Sequence, residues 1–144
     1  MNIKIAQLAK KPFAVKASTK NLKKTYQFQL DMAKLNDITD QEPEKVDRKK
    51  LSDEELKALD KREQERAVKS FQAMIDIQDK VENYLVDVLK LDENQIDDLE
   101  ELEQDDVFGI SQYVAMRITG MTDAEIEAAN TTKEEVGLPA QESK

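Results

Sequence analysis

Residues 68–91 read VKSFQAMIDIQDKVENYLVDVLKL, and this stretch decides the fold. Its apolar residues recur at steps of three and four with charged residues between them, which predicts one amphipathic helix without an internal Gly or Pro. Because an isolated helix of this length is only marginally stable, we expect other elements to pack against its apolar stripe. The predicted stripe consists of Val68, Phe71, Met74/Ile75, Gln78, Val81, Leu85, Val88 and Leu89.

Composition indicates one helical domain with a modest aliphatic core. Of the 144 residues, 37% are charged, 39% are hydrophobic and 5% are aromatic. We expect a single domain over residues 1–130, with an acidic linker at 37–51 inside it and a flexible tail at 131–144. The chain has no Cys and no His, which removes disulfides, imidazole bases and almost every zinc site, so we expect no metal and no cofactor.

The longest uncharged run, residues 107–116, is about half of what crossing a bilayer requires. We therefore expect no membrane segment. The Lys-rich amino end lacks the apolar region and cleavage site of a secretory signal. With no export signal and no Cys, a cytoplasmic location is the default expectation.

Charge is distributed unevenly along the chain. The net charge is −9, yet residues 1–30 carry seven Lys and no acid. One hypothesis is that this basic end binds nucleic acid, with Phe13, Tyr26 and Phe28 interspersed. The absence of Arg there and the acidic remainder favour instead a solvated edge, or a dock for the chain's own acidic segment.

The amino-terminal third predicts a small β element followed by a helix. Alternation of Ile3 with Ile5, and of Phe13 with Val15 and Ala17, predicts one or two strands joined by a turn at residues 10–12. Ser18 or Thr19 then caps a helix. Its expected stripe is Leu22, Tyr26, Leu30 and Ala33, although residues 26–30 (YQFQL) also alternate as a strand would.

A second start signal follows the linker. Ser52 and Glu55 form a capping box, which predicts a helix over residues 53–66 with little to bury. This helix is either continuous with the central helix or bent away from it. Both possibilities leave Leu56 and Leu59 as candidate contacts for a partner.

Three more start and stop signals complete the predicted fold. Asp92 with Gln95 opens a short acidic helix, and Asp105 or Asp106 starts the next, which ends at Gly120. Thr122 with Glu125 opens a last helix, expected to end near Asn130. We predict a mainly α fold of four to five helices around a long central helix, with a small amino-terminal β-strand or hairpin. The helix before Gly120 buries a stripe of Val107, Ile110, Val114 and Ile118.

The sequence offers few candidate sites for metal binding or catalysis. Residues 92–106 hold nine acids and no base, but a calcium-loop alignment from Asp92 places Ile96 at a ligand position and Asp97 where Gly must turn the chain. A solvated acidic face is the better interpretation. Phosphate-binding and nucleophile-elbow motifs are absent, so we predict no enzyme. The late helix adds three candidate partner contacts to Leu56 and Leu59: Phe108, Tyr113 and Met116.

The order of these segments resembles a phage protein family. An extended unit ends in KPFAVKAST (11–19), and the helix NLKKTYQFQLDMAKLN (21–36), an acidic linker and a long amphipathic helix follow. The segment VFGISQYVAMRITGMTDAEI (107–126) comes last. Together they are similar to the tail assembly chaperones of long-tailed (siphophage-type) phages and prophages of Gram-positive bacteria, a family with no fixed functional residues to carry over.

This resemblance implies a non-enzymatic protein of the bacterial host cytoplasm that is absent from the mature virion. It implies that the chain binds the tape-measure and tail-tube proteins and keeps them soluble during tail assembly. Self-association is possible in such a protein. The alternative interpretation is a small regulatory module that binds nucleic acid through its Lys-rich amino terminus.

Overall fold

The computed structural model describes residues 1–42 and 45–131, and these are mainly helical with one small sheet, as the sequence predicts. A short 3₁₀ helix, Arg48–Lys50, precedes the longest helix. Residues 123–131 are helical as well and are called α5. The elements are β1 Asn2–Ile3, β2 Phe13–Ala14, α1 Thr19–Thr39, α2 Asp53–Leu89, α3 Glu93–Glu101 and α4 Gln104–Ile118.

The predicted hairpin is present. Strands β1 and β2 are antiparallel, with Ile3 opposite Phe13. Ile3, Ile5 and Val15 are buried and Phe13 is half-buried, as the predicted alternation requires, whereas Ala17 is exposed and lies beyond the inner face. The chain turns first at residues 6–8, where the Leu8 N–H donates to the Ile5 carbonyl at 3.1 Å, ahead of the predicted turn at residues 10–12.

Helix α1 confirms the helical interpretation of residues 22–35 over the strand. The Ser18 hydroxyl accepts from the Asn21 N–H at 3.2 Å, which caps the helix as predicted. The predicted stripe is wrong, because Tyr26 and Leu30 are exposed while Thr25 and Phe28 are buried. Thr25 can occupy the buried face because its hydroxyl forms a 2.8 Å hydrogen bond with the Tyr84 hydroxyl.

Helix α2 is continuous from Asp53 to Leu89, so the arm predicted over residues 53–66 is the first part of the central helix. Ser52 starts it, accepting from the Glu55 N–H at 3.2 Å. The Glu55 carboxylate accepts from the Ser52 hydroxyl. At the other end Lys90 has a φ of 56°, the left-handed conformation that closes many helices.

The carboxyl-terminal helices begin and end close to the residues predicted from the sequence. Asp92 and Gln95 form a reciprocal capping box on α3. The α4 stripe buries Ile110, Val114 and Ile118 as predicted. Gly120, with a φ of 110°, ends this segment in a conformation that favours Gly. The last helix includes residue 131, one past the predicted end at Asn130, and the predicted tail beyond it lies outside the described residues.

Contacts divide the chain into two compact units. Unit 1 comprises Met1–Tyr26 and Val81–Lys144, and unit 2 comprises Gln27–Lys80. The single domain expected over residues 1–130 stays a prediction. Among the described helices, none combines the length and apolarity needed to cross a membrane.

The two units bury very different amounts of apolar surface. Unit 1 holds most of the core, including the fully buried Ile3, Val81, Leu85, Val114 and Ile118. Among its described residues, unit 2 buries four apolar side chains: Phe28, Leu59, Ala73 and Ile77.

Candidate functional site

Unit 2 exposes large apolar side chains along one side of α2. Val68 is 67% exposed, Phe71 65%, Met74 48% and Ile75 54%. Val68, Phe71 and Ile75 are spaced by three and four residues, so they lie on one face of the helix with Met74 beside them. We call these four residues the α2 face.

The α2 face lies opposite the side of the helix that unit 2 buries. Each residue of an α-helix turns the side chain by about 100°, so Ala73 and Ile77 point about 200° away from Phe71 and Ile75, respectively. Ala73 and Ile77 are 2% and 7% exposed. The predicted stripe is therefore wrong over its first half: α2 carries two apolar stripes in unit 2, and the structure buries the one containing Ala73 and Ile77.

The charged residues of α2 lie mostly to one side of this face. Lys69, four residues before the buried Ala73, lies on the side of the helix that carries Ala73. Asp76 lies between the two sides and accepts a hydrogen bond from the Gln72 amide at 3.1 Å. Asp79 follows Ile75 by four residues and therefore borders the face at its carboxyl-terminal end.

The five predicted contact residues are divided between the units. In unit 2, Leu56 is half-buried, whereas Leu59 is only 2% exposed and belongs to the core. The three on α4, in unit 1, are all half-buried: Phe108, Tyr113 and Met116.

Tyr113 has a fixed orientation. Its hydroxyl donates to the Asp123 carboxylate, which joins α4 to the start of α5. Partial burial, together with this hydrogen bond and the carboxylate charge, raises the pKa of the Tyr113 hydroxyl. The side chain therefore serves as a neutral donor in an internal contact, and only the rest of its ring is free to meet a partner.

An open groove of about 300 Å³ lies between the hairpin and α4 in unit 1. Lys4, Ile5 and Gln7 form one side, and Asp105, Asp106 and Tyr113 are among the residues of the other. The described residues contain no cluster of acidic side chains arranged to hold a metal ion. The groove offers a small mixed polar surface and no recognisable catalytic set.

The sequence model of the phage tail assembly chaperone proteins (TAC) matches residues 1–135. The chain belongs to this family. No curated protein and no solved structure matched it. Membership supports a role as a tail assembly chaperone and suggests that this role is non-enzymatic and performed outside the finished virion.

The lysines of this tail assembly chaperone are spread over the hairpin and α1. Lys10, Lys11, Lys16, Lys20 and Lys23 are all exposed. They lie in the loops before and after β2 and on α1, and Phe28, one of the aromatic residues proposed to contact bases, is buried. The arrangement resembles a solvated edge more than a base-stacking surface.

The sequence analysis did not identify the structural role of Arg117. Arg117 donates to the Asn2 carbonyl at 3.1 Å and to the Met121 carbonyl at 3.3 Å. Its buried Nε lies 3.3 Å from an Asp123 carboxylate oxygen, without the geometry of a hydrogen bond. Arg117 thus links β1, α4 and the start of α5, a long-range role that no local spacing rule identifies.

Proposed function

We propose that this chain binds the tape-measure protein and the tail-tube protein in the host cytoplasm and keeps them soluble until the tail tube polymerises. The α2 face is the observation that supports this proposal. Soluble proteins rarely leave a cluster of Val, Phe, Met and Ile exposed on one helix unless a partner covers it.

The chemistry of the face fits an amphipathic helix of the tape-measure protein. Such a helix places its own apolar residues at steps of three and four against Val68, Phe71 and Ile75, and Met74 adapts to their shapes. Covering roughly 300 Å² of apolar surface at about 25 cal/mol per Å² contributes about 7 kcal/mol before the cost of association. Affinity in the micromolar range is a reasonable result of that balance.

The charge of the chaperone completes the mechanism. At a net charge of −9 the complex repels other copies of itself, which opposes aggregation of the bound client. Binding, burial and release need no bond to be made or broken. The half-buried Leu56, Phe108, Tyr113 and Met116 remain predicted additional contacts for either client.

Co-expression with the tape-measure and tail-tube proteins of the same genome tests the proposal. We expect a client to become soluble and to co-elute with the wild-type chain, and expect Phe71→Ser and Ile75→Ser to abolish this. Leu30→Ser is the matched control, because Leu30 is 49% exposed but lies on α1. Circular dichroism establishes that each variant is folded.

The outcomes separate the alternatives. Solubilisation by all variants alike would exclude the α2 face as the client surface. Failure of the wild-type chain to bind either client would refute the proposed clients. Binding of DNA or RNA that weakens steeply with salt, and is lost when Lys10, Lys11, Lys23 and Lys24 are neutralised, would show that the basic amino end is the functional one.

A further inference from the structure

Among the residues that the structure describes, the outer edge of β2 has no backbone partner. The Val15 N–H donates to the Met1 carbonyl at 2.9 Å, so these residues form a hydrogen-bonded pair of the antiparallel ladder. Hydrogen-bonded and non-hydrogen-bonded pairs alternate along such a ladder, and the next pair is Asn2 with Ala14. The N–H and the carbonyl of Ala14 therefore point away from β1. Ala14 is exposed, and its small side chain leaves these two groups accessible.

Side-chain hydrogen bonds hold the hairpin in place around this edge. On the far side of β1, the Asn2 carbonyl accepts from Arg117 of α4 at 3.1 Å. Just beyond β2, the Lys16 carbonyl accepts from the Asn21 amide at 2.8 Å, which ties the strand to the first turn of α1. Because the backbone on both sides of Ala14 is already fixed, a strand that pairs with this edge orders little further backbone.

Lysines are concentrated beside the outer edge of β2. Lys11 lies three residues before Ala14 and Lys16 lies two residues after it, so both lie within about 11 Å of Ala14, the longest distance that three residues span. The ion pairs identified among the described residues involve other cations. Residues 1–30 hold seven Lys and no acid, so the edge meets a partner with unopposed positive charge. The exposed lysines in the loops next to β2 and at the start of α1 are Lys10, Lys11, Lys16 and Lys20.

This combination selects the kind of strand that can pair. Lysines and a proline such as Pro12 are features that keep neutral or basic strands away from an exposed edge. An acidic strand reverses the effect of the lysines, because a Glu beside Lys16 forms an attractive cross-strand pair. On the inner face Phe13 is half-buried, so an apolar residue of the added strand can contact the rest of its ring.

A peptide also fits the edge better than a nucleic acid does. The Ala14 carbonyl needs a donor and the Ala14 N–H needs an acceptor at the spacing of a β-strand. A polypeptide backbone supplies both groups, whereas a phosphate backbone supplies acceptors alone. An extended segment in which acidic and β-branched residues alternate therefore matches the edge in hydrogen bonding, in charge and in apolar contact.

We propose that the outer edge of β2 binds an acidic, extended segment of a protein partner, which adds a third strand to the hairpin. Two backbone hydrogen bonds form at Ala14, and Lys11 and Lys16 neutralise carboxylates of the segment. This surface belongs to unit 1, and it depends neither on the α2 face nor on the clients proposed above.

The probe is the synthetic peptide acetyl-Thr-Glu-Val-Glu-Val-Glu-Thr-amide, titrated into the isotope-labelled chain and followed by NMR. We expect saturable binding with a dissociation constant of roughly 100 μM. Hydrogen exchange of the Ala14 amide slows by about tenfold at saturation, because this N–H gains an acceptor. The same peptide with Lys in place of each Glu does not bind.

Ala14→Pro tests strand addition without changing the charge. It removes the outward N–H, which takes no part in the pairing of β1 with β2, and proline is tolerated on an edge strand. We expect the acidic peptide to bind at least about tenfold more weakly. Ala14→Ser, which keeps the N–H, is the matched control and binds within about twofold of the wild type. Circular dichroism establishes that both variants are folded.

Neutralising the lysines provides a second test should Ala14→Pro fail to fold. Lys11→Gln/Lys16→Gln weakens binding of the acidic peptide by about tenfold. Lys34→Gln/Lys57→Gln removes the same charge from exposed positions of unit 2 and leaves binding within about twofold of the wild type.

Three results would overturn the proposal. The first is tight binding of the acidic peptide to Ala14→Pro with no slowing of exchange at Ala14 in the wild type, because lysines alone would then attract the carboxylates. The second is equal binding of the acidic and the lysine peptides. The third is tighter binding of an oligothymidylate than of the acidic peptide at the same salt concentration, which would assign the edge to nucleic acid. These measurements use neither client, so they stand apart from the test of the proposed function.

Discussion

Replacing Ile75 or Ile77 with Ala removes the same atoms from positions two residues apart on one helix. Ile77 is 7% exposed and Ile75 is 54% exposed. Truncating a buried Ile leaves a cavity and costs about 3 kcal/mol of unfolding free energy. The exposed Ile75 loses little burial, and Ala is the better helix former, so we expect Ile75→Ala to change the unfolding free energy by less than about 0.5 kcal/mol.

Urea unfolding followed by helical circular dichroism measures the difference. With a slope of about 2 kcal/mol per molar urea, Ile77→Ala lowers the midpoint by about 1.5 M and leaves the slope unchanged. Protein concentration is kept near 1 μM so that association through exposed apolar residues does not contribute to the apparent stability.

The refuting result is equal destabilisation at both positions. It would mean that Ile75 is as buried as Ile77 in the folded chain, so that the α2 face is core. The opposite pattern, a stable Ile75→Ala that no longer retains clients, assigns the two stripes of α2 to separate tasks: one to folding and one to client binding.

Three further predictions concern unit 1. Tyr84→Phe removes the hydrogen bond to the buried Thr25 hydroxyl and lowers the unfolding free energy by about 1 kcal/mol, measured by urea unfolding. Burial raises the pKa of the Tyr84 hydroxyl above its ordinary value of 10.0, and the hydrogen bond with Thr25 partly opposes this shift. The wild type therefore loses stability as the pH rises above about 10, and Tyr84→Phe loses less. Arg117→Lys cannot keep both carbonyl contacts and lowers the melting temperature by about 4 °C, read by differential scanning calorimetry. Asp92→Ala removes the cap of α3 and costs about 1 kcal/mol, whereas Asp92→Asn retains most of it.

Local signals predicted the helix starts because their physics is local. A Ser, Asp or Thr side-chain oxygen accepts a hydrogen bond from the backbone N–H three residues later, and this bond does not depend on the tertiary structure. The helix starts at Ser52, Asp92 and Thr122 were therefore predictable from the sequence. The α4 stripe was also predictable, since one side of that helix carries nearly all of its aliphatic residues.

Which face of a helix is covered was not predictable where two faces are apolar. On α2 the larger side chains Phe71 and Ile75 form the more hydrophobic stripe, yet the smaller Ala73 lies with Ile77 on the buried side. Periodicity shows that a helix is amphipathic, but it does not show which of two apolar faces packs against another element. The same limit applies to α1, where the buried Thr25 depends on a partner 59 residues away.

The predicted contact role of Leu59 can be decided by comparison with Leu56, which lies on the same helix and has the same side chain. If Leu59 is core, as its 2% exposure indicates, Leu59→Ala lowers the unfolding free energy by about 3 kcal/mol and Leu56→Ala by less than about 1 kcal/mol. A Leu59→Ala variant of wild-type stability that no longer binds client would instead restore the sequence-based prediction. As for Ile77→Ala, we expect the loss at Leu59 to appear as a lower urea midpoint with an unchanged slope.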